Sequence, residues 1–164
     1  MGGGSRFTME AVAARAGASK ATLYRRWSSA SALLVDAMAE AFHPLSSPDT
    51  GDVRHDLAAL LHDVTVLMTR SDFPRLMAAV IDLSERDPAL AALHARITEN
   101  QRRPLLEILQ RALQRGELDP NSDPELLADL IAAPFFYRRF IAHRPIPDGM
   151  AHDVIDQVLP RKAE

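Results

Sequence analysis

The sequence predicts an all-α protein, with a small helix-turn-helix head at the amino end and a helical bundle behind it. Apolar residues recur at i, i+3 and i+4 in almost every segment, the spacing that puts them on one face of a helix. No alternating apolar–polar run of useful length is present, so strands have no candidate. Glycine, proline and short capping residues fall at the ends of those segments, where helices start and stop.

The head comes first. Thr8 can cap a helix by accepting from an orphan backbone N–H, and Glu10 sits in the first turn, where the helix dipole favours negative charge. Val12, Ala13 and Ala16 make a narrow apolar face. Gly17 stands where the helix must stop, since glycine tolerates the left-handed conformation a helix end requires. Ser19 is the next cap. Leu23 and Trp27 follow at i, i+4 as the buried side of a second helix, which leaves Lys20, Thr22, Tyr24, Arg25 and Arg26 facing outward. Two short helices around a glycine, the second loaded with phosphate-gripping groups, form the pattern of a helix-turn-helix that lays its second helix in the DNA major groove.

The body is helical throughout. Ser31 to Phe42 reads as a linking helix with Leu33, Leu34, Ala37, Met38 and Ala41 on its apolar side, ending at His43-Pro44. Residues 44–51 are the clear linker, so the expected domains are 1–43 and 52–164. Asp52 to Thr69 carries Leu57, Leu60, Leu61, Val64 and Met68, and Ser71-Asp72 breaks the chain. Phe73 to Glu85 carries Met77, Val80 and Ile81. Asp87-Pro88 places proline at a helix start, and the long segment to Arg115 holds Leu90, Leu93, Ile97, Leu105, Ile108 and Leu109. Pro104 inside it removes one backbone bond and should bend it, and Gly116 ends it. Asp123-Pro124 opens a helix to about Ala142, and a last one runs from about Asp148 to Leu159.

Charge is divided unevenly. The chain totals −3, yet residues 1–30 hold five cations against Glu10 alone, a balance of +4 that leaves −7 for the remainder. A basic head on an acidic body concentrates attraction for nucleic acid at one end. The 47% hydrophobic content can support a core, and the absence of cysteine excludes disulfide and thiolate chemistry and suits a reducing cytoplasm. No secretory leader or membrane-spanning run is visible, so a cytoplasmic protein without membrane contact is expected.

The stretch Ala16-Gly17-Ala18-Ser19-Lys20-Ala21-Thr22-Leu23-Tyr24-Arg25-Arg26-Trp27, with the following Ser28-Ser29 and Leu33-Leu34, resembles the DNA-binding motif of the TetR/AcrR family of transcriptional regulators. The resemblance is specific over about residues 7–42, and the helical remainder suits the family. It implies a sequence-specific DNA-binding regulator, a repressor released by a small apolar or amphipathic inducer. Thr8 and Tyr24 would bind phosphates, Lys20, Ala21, Thr22 and Arg25 would face base edges, and Arg26 could serve either role, with Ser19 at the edge of the same surface. Two departures stand out. Ala30 occupies the place of a phosphate-touching lysine, and Met1 to Arg6 offers a flexible leader where members carry a further helix. The alternative left open by that second departure is a helical dimeric interaction or ligand-binding module that has lost DNA binding.

A head of this size covers about half a turn of groove, so a homodimer on a palindromic operator is expected. The resemblance implies that its last two long helices pair with their mates. Leu127, Leu130, Ile131, Val154, Ile155 and Val158 are the interface candidates, the other reading being intrachain core. It also implies an inducer cavity among the middle helices, with Leu60, Val64, Met68, Met77, Ile81, Ile97 and Phe136 as candidates against an ordinary-core reading. Ligand would favour a state whose two heads no longer match successive grooves about 34–36 Å apart. No catalytic residue, cofactor or metal is expected. His55 and His62 near Asp63 equally suit a solvated helix side, and no phosphate loop or nucleophile elbow occurs.

Overall fold

The structure, a computed structural model, describes residues 7–41, 45–70 and 73–159. The leader 1–6, the expected helix end at 42–44, the break at Ser71-Asp72 and the side chains of Ala41 and Leu93 lie outside the described residues. In chain order the helices are α1 (Met9–Ala16), α2 (Lys20–Arg26), α3 (Ala30–Ala41), α4 (Val53–Thr69), α5 (Phe73–Ser84), α6 (Pro88–Gln114), α7 (Pro124–Phe136), a π-helical turn (Tyr137–Ile141) and α8 (Met150–Val158). The protein is all-α, and no strand occurs among the described residues.

The ends of these helices follow from local chemistry. Thr8 Oγ1 accepts the Ala11 N–H at 3.2 Å, and Asp52 accepts from Arg54 and His55 at 2.8 and 3.1 Å. Asp123 accepts from Glu125 at 2.9 Å, with Pro124 as the first helical residue. Each supplies an acceptor to backbone donors that the helix itself cannot satisfy. Gly17 closes α1 at φ 61°, and the Ala18 N–H reaches back to the Ala13 carbonyl at 3.0 Å. That is the glycine-dependent C-terminal closure of a helix.

Two compact units divide the chain: residues 1–43 with 75–97, and residues 44–74 with 98–164. In the first, Met9, Ala13, Leu23 and Leu33 form one apolar cluster, flanked by Phe7, Val12, Trp27 and Ala30. Leu34, Met38, Val80 and Leu90 form a second, flanked by Phe7, Leu76, Ala79, Leu83 and Ile97. Neighbouring residues on a helix point about 100° apart. Leu33 and Leu34 therefore turn α3 toward α1–α2 on one side and toward α5 and the start of α6 on the other. Ser31 Oγ donates to Asp87 at 3.1 Å and ties the same helix to the residue before α6.

In the second unit α8 packs on α4 and α7. Leu57, Leu60, Leu61 and Met68 of α4, Ile108 and Leu109 of α6, Ile131 and Phe135 of α7 and Ile155 of α8 are all buried. The linker is fastened to this unit. Thr50 donates through N–H and Oγ1 to the fully buried Asp56 at 3.0 and 2.7 Å. Arg111 donates to Ser47 Oγ at 3.1 Å, Arg115 to Asp49 at 2.7 Å, and the Val53 N–H to Glu117 at 2.7 Å. No helix among the described residues is long and apolar enough to cross a membrane.

Three expectations need correction. Trp27 does not extend α2; it takes an extended conformation, φ −128°, because its indole is held by α3. Ala16 is exposed, and Met9 takes its place in the core one turn before Ala13. The helix expected to reach Ala142 stays α-helical only to Phe136 and then widens, the Ala142 N–H bonding to Tyr137 at 2.8 Å. Pro134 has no N–H and already interrupts the ladder three residues earlier. Such wider turns arise where the regular i→i−4 pattern is disturbed.

Candidate nucleic-acid interface

The only buried residue of α2 is Leu23, which anchors the helix against Met9, Ala13 and Leu33. Ser19, Lys20, Ala21, Thr22, Tyr24, Arg25 and Arg26 are all exposed, Tyr24 by 50%, while Thr8 is half-buried at the start of α1. The seven expected groups of the second helix thus share the open surface around a single apolar anchor. Ser19 starts that helix, accepting the Thr22 N–H at 3.1 Å, and its hydroxyl lies 2.9 Å from that of Thr22. These two hydroxyls are therefore partly engaged in holding the helix end.

Two of the three cations of α2 have an acidic neighbour on another helix. Lys20 Nζ lies 3.1 Å from Glu10 Oε1 of α1. The backbone N–H at Glu10 and then the Lys20 ammonium keep that carboxyl below its ordinary pKa. Arg26 lies 3.7 Å from Asp36 of α3 and stacks 4.7 Å over the Trp27 ring. Trp27 donates its Nε1–H to the same Asp36 oxygen at 3.0 Å. Asp36 thereby orients the end of α2 from α3, a role with no signature in the helical pattern. Only the spacing of Trp27 to Asp36, nine residues across a turn, hints at it. The assembly presents ammonium, guanidinium, hydroxyl and phenol groups on one short helix, a set suited to phosphate oxygens and base edges.

The other expected sites are less uniform. Of the ligand candidates, Leu60, Val64, Met68 and Phe136 belong to the second unit, and Met77, Ile81 and Ile97 to the first. Leu60 and Met68 are buried, whereas Ile81 and Phe136 are exposed. Phe136 stacks on Phe140 with ring centres 5.8 Å apart, and Phe140 lies 6.3 Å from Phe73. Of the interface candidates, Ile131 is 0% and Ile155 2% exposed within the single chain. With almost no accessible area, these two pack within the single chain. Leu127, Val154 and Val158 are half-buried, and Leu130 is 49% exposed. Leu126, Tyr137 and Ile141, not singled out from the sequence, are also exposed. With Leu130 and Ala133 they form a stripe along α7 and the turn after it, at i, i+4, i+7, i+11 and i+15. Among the described residues no group of three histidine or acidic side chains is placed to hold a metal ion.

Residues 2–37 match the profile of bacterial regulatory proteins of the tetR family. Residues 47–158 match that of the tetracyclin repressor-like C-terminal domain. The chain is 33% identical over 159 residues to the HTH-type transcriptional regulator Mb1581 of Mycobacterium bovis, covering 96% of this chain and 78% of that protein. It is 32% identical to the DNA-binding transcriptional repressor TetR of Mycobacteroides abscessus, covering 96% and 83%. The crystal structure of the TetR family transcription regulator SCO0332 superposes with a TM-score of 0.69 at 31% identity, over 98% of this chain and 89% of that one.

Proposed function

The chain belongs to the TetR family of DNA-binding transcriptional regulators, which are not enzymes, and from that premise we propose a dimeric cytoplasmic repressor of a palindromic operator, released by an apolar or amphipathic small molecule. The observation that carries it is α2, whose every side chain but Leu23 is exposed and whose Lys20 and Arg26 lie beside Glu10 and Asp36. Thr8 and Tyr24 hold phosphates. Lys20, Ala21, Thr22 and Arg25 read base edges, with Ser19 setting the helix start and Arg26 meeting either phosphate or base edge beside them. A groove half-turn is too little for a useful site, so two copies act together.

Residues 1–43 are the reading head and 52–164 the regulatory part. Residues 75–97 cluster with the head and share its second apolar core. The exposed stripe of Leu126, Leu130, Tyr137 and Ile141 supports pairing through α7, with Val154 and Val158 of α8 beside it. An inducer enters among the middle helices and acts through its preference for one spacing of the two heads.

The test is duplex binding. Selection from a randomised pool should return a two-fold symmetric site, and its affinity should fall steeply with salt as phosphate counterions are released. Tyr24→Phe should weaken binding to selected and unrelated duplexes alike. A pool that returns no enriched sequence, with binding insensitive to Tyr24→Phe, would remove α2 from the mechanism.

A further inference from the structure

Lys20 stands where a helix tolerates a cation least. It is the first residue of α2, at the end that carries partial positive charge, and the first turn of α2 has no acidic residue of its own. The compensating carboxylate comes from a different helix: Glu10, in the first turn of α1, folded back by the left-handed turn at Gly17 to 3.1 Å from the ammonium. Side chains that break a local preference and are rescued from elsewhere concentrate at functional positions. Both partners are more than half exposed, so the pair is weak and exchangeable rather than a fixed structural tie.

We propose that Glu10 is a specificity-determining residue, whose carboxylate competes with DNA for the Lys20 ammonium and so suppresses binding to sequences that offer only phosphate there. The proposal rests on the reading that Lys20 faces the groove. Non-specific affinity grows with each phosphate a protein neutralises, and an ammonium already paired with Glu10 contributes less to that count. At a selected site the docked helix sets the guanine O6 and N7 acceptors directly at the ammonium, whereas an unrelated duplex offers it phosphate alone, without that aligned pair of acceptors. Specificity is a difference between two affinities, and Glu10 enlarges it by lowering the weaker one. Arg26 is arranged in the same way with Asp36, at 3.7 Å, although its ring contact with Trp27 gives it a second anchor that Lys20 lacks.

The experiment uses the full chain, the duplex it selects from a randomised pool and a shuffled duplex of the same composition, read by fluorescence anisotropy over a range of salt. Five proteins are compared: wild type, Glu10→Gln, Glu10→Asp, Lys20→Met and the Glu10→Gln/Lys20→Met double variant. Glu10→Gln should bind the shuffled duplex roughly two- to fivefold tighter, as release of an exposed ion pair allows. It should gain less on the selected duplex and steepen the salt slope on the shuffled one by up to about one. In the Lys20→Met background the same substitution should lose most of its effect. An equal gain in both backgrounds would mean that Glu10 acts only as a bare negative charge, and the proposal fails while Lys20 keeps its role. No change from Lys20→Met in either affinity or selected sequence overturns the groove reading and the proposal with it. Glu10→Asp, which keeps the charge on a shorter arm, should fall between wild type and Glu10→Gln. It serves as the readout if thermal melts show Glu10→Gln to be unfolded.

Discussion

Replacing Leu34 by alanine should cost this protein a large part of its stability. Leu34 is 0% exposed and packs with Met38, Val80 and Leu90, inside a ring of half-buried Phe7, Leu76, Ala79, Leu83 and Ile97. The substitution removes three carbons, about 2.4 kcal/mol of transfer free energy at ~0.8 per methylene. A cavity then remains, because its walls come from α3, α5 and α6 and cannot all close on it, which brings the total to about 3–4 kcal/mol. For a chain of this size that lowers Tm by roughly 6–16 °C. Urea unfolding at matched protein concentration measures it, with an unchanged m-value expected. Val35→Ala, one residue along but on the solvent side of α3, is the control and should cost under ~1 kcal/mol. A Leu34→Ala variant within about 1 kcal/mol of wild type, or a Val35→Ala variant equally damaged, would refute this packing of α3.

Three further outcomes are expected. Ser19→Ala removes the cap of α2 and should cost about 1 kcal/mol, with faster amide exchange in α2 and weaker duplex binding; unchanged exchange would deny the cap its role. The Asp52 carboxyl is held below its ordinary pKa by the backbone N–H groups of His55 and then Arg54. A depressed carboxyl contributes stability that is complete above its ordinary pKa and is lost as pH falls through the lower, folded-state value. Asp52→Asn should therefore lose less stability than wild type on acidification below about pH 4, and parallel curves in denaturant titrations would contradict this. Leu130→Glu, in the exposed stripe of α7, should shift sedimentation from dimer to monomer and abolish binding to a two-half-site duplex. A variant that stays dimeric would move the interface elsewhere.

Periodicity and caps made the helices legible. Thr8, Ser19 and Asp123 act as the acceptors their positions suggested, and Gly17 and Gly116 take the positive φ expected of helix-ending glycines. What escaped was whatever depends on distant partners. Trp27 keeps helical register with Leu23, yet Asp36 draws its indole out of the helix. The partnership of residues 75–97 with the head has no local sign, because an apolar stripe declares which face is covered and not what covers it. The same ambiguity attaches to Ile131 and Ile155, which are buried within the single chain. On α7, apolar residues occur nearly all round, so the inward side and the open one look alike until the chain is folded. The exposed set around α2 was legible because polar and charged residues surround a single apolar anchor. Its ion pairs with Glu10 and Asp36 were not, since both partners come from other helices.

The two-sided packing of α3 has a practical bearing on chimeras. A graft cut in the linker, carrying only residues 1–43 onto a foreign sensor, would leave Leu34 and Met38 without Val80 and Leu90. Such a hybrid uncovers two large apolar side chains that are buried here, and invites aggregation. A transplant that also brings residues 75–97 keeps that junction intact, so sensor exchange in this scaffold calls for a discontinuous insert rather than a single splice.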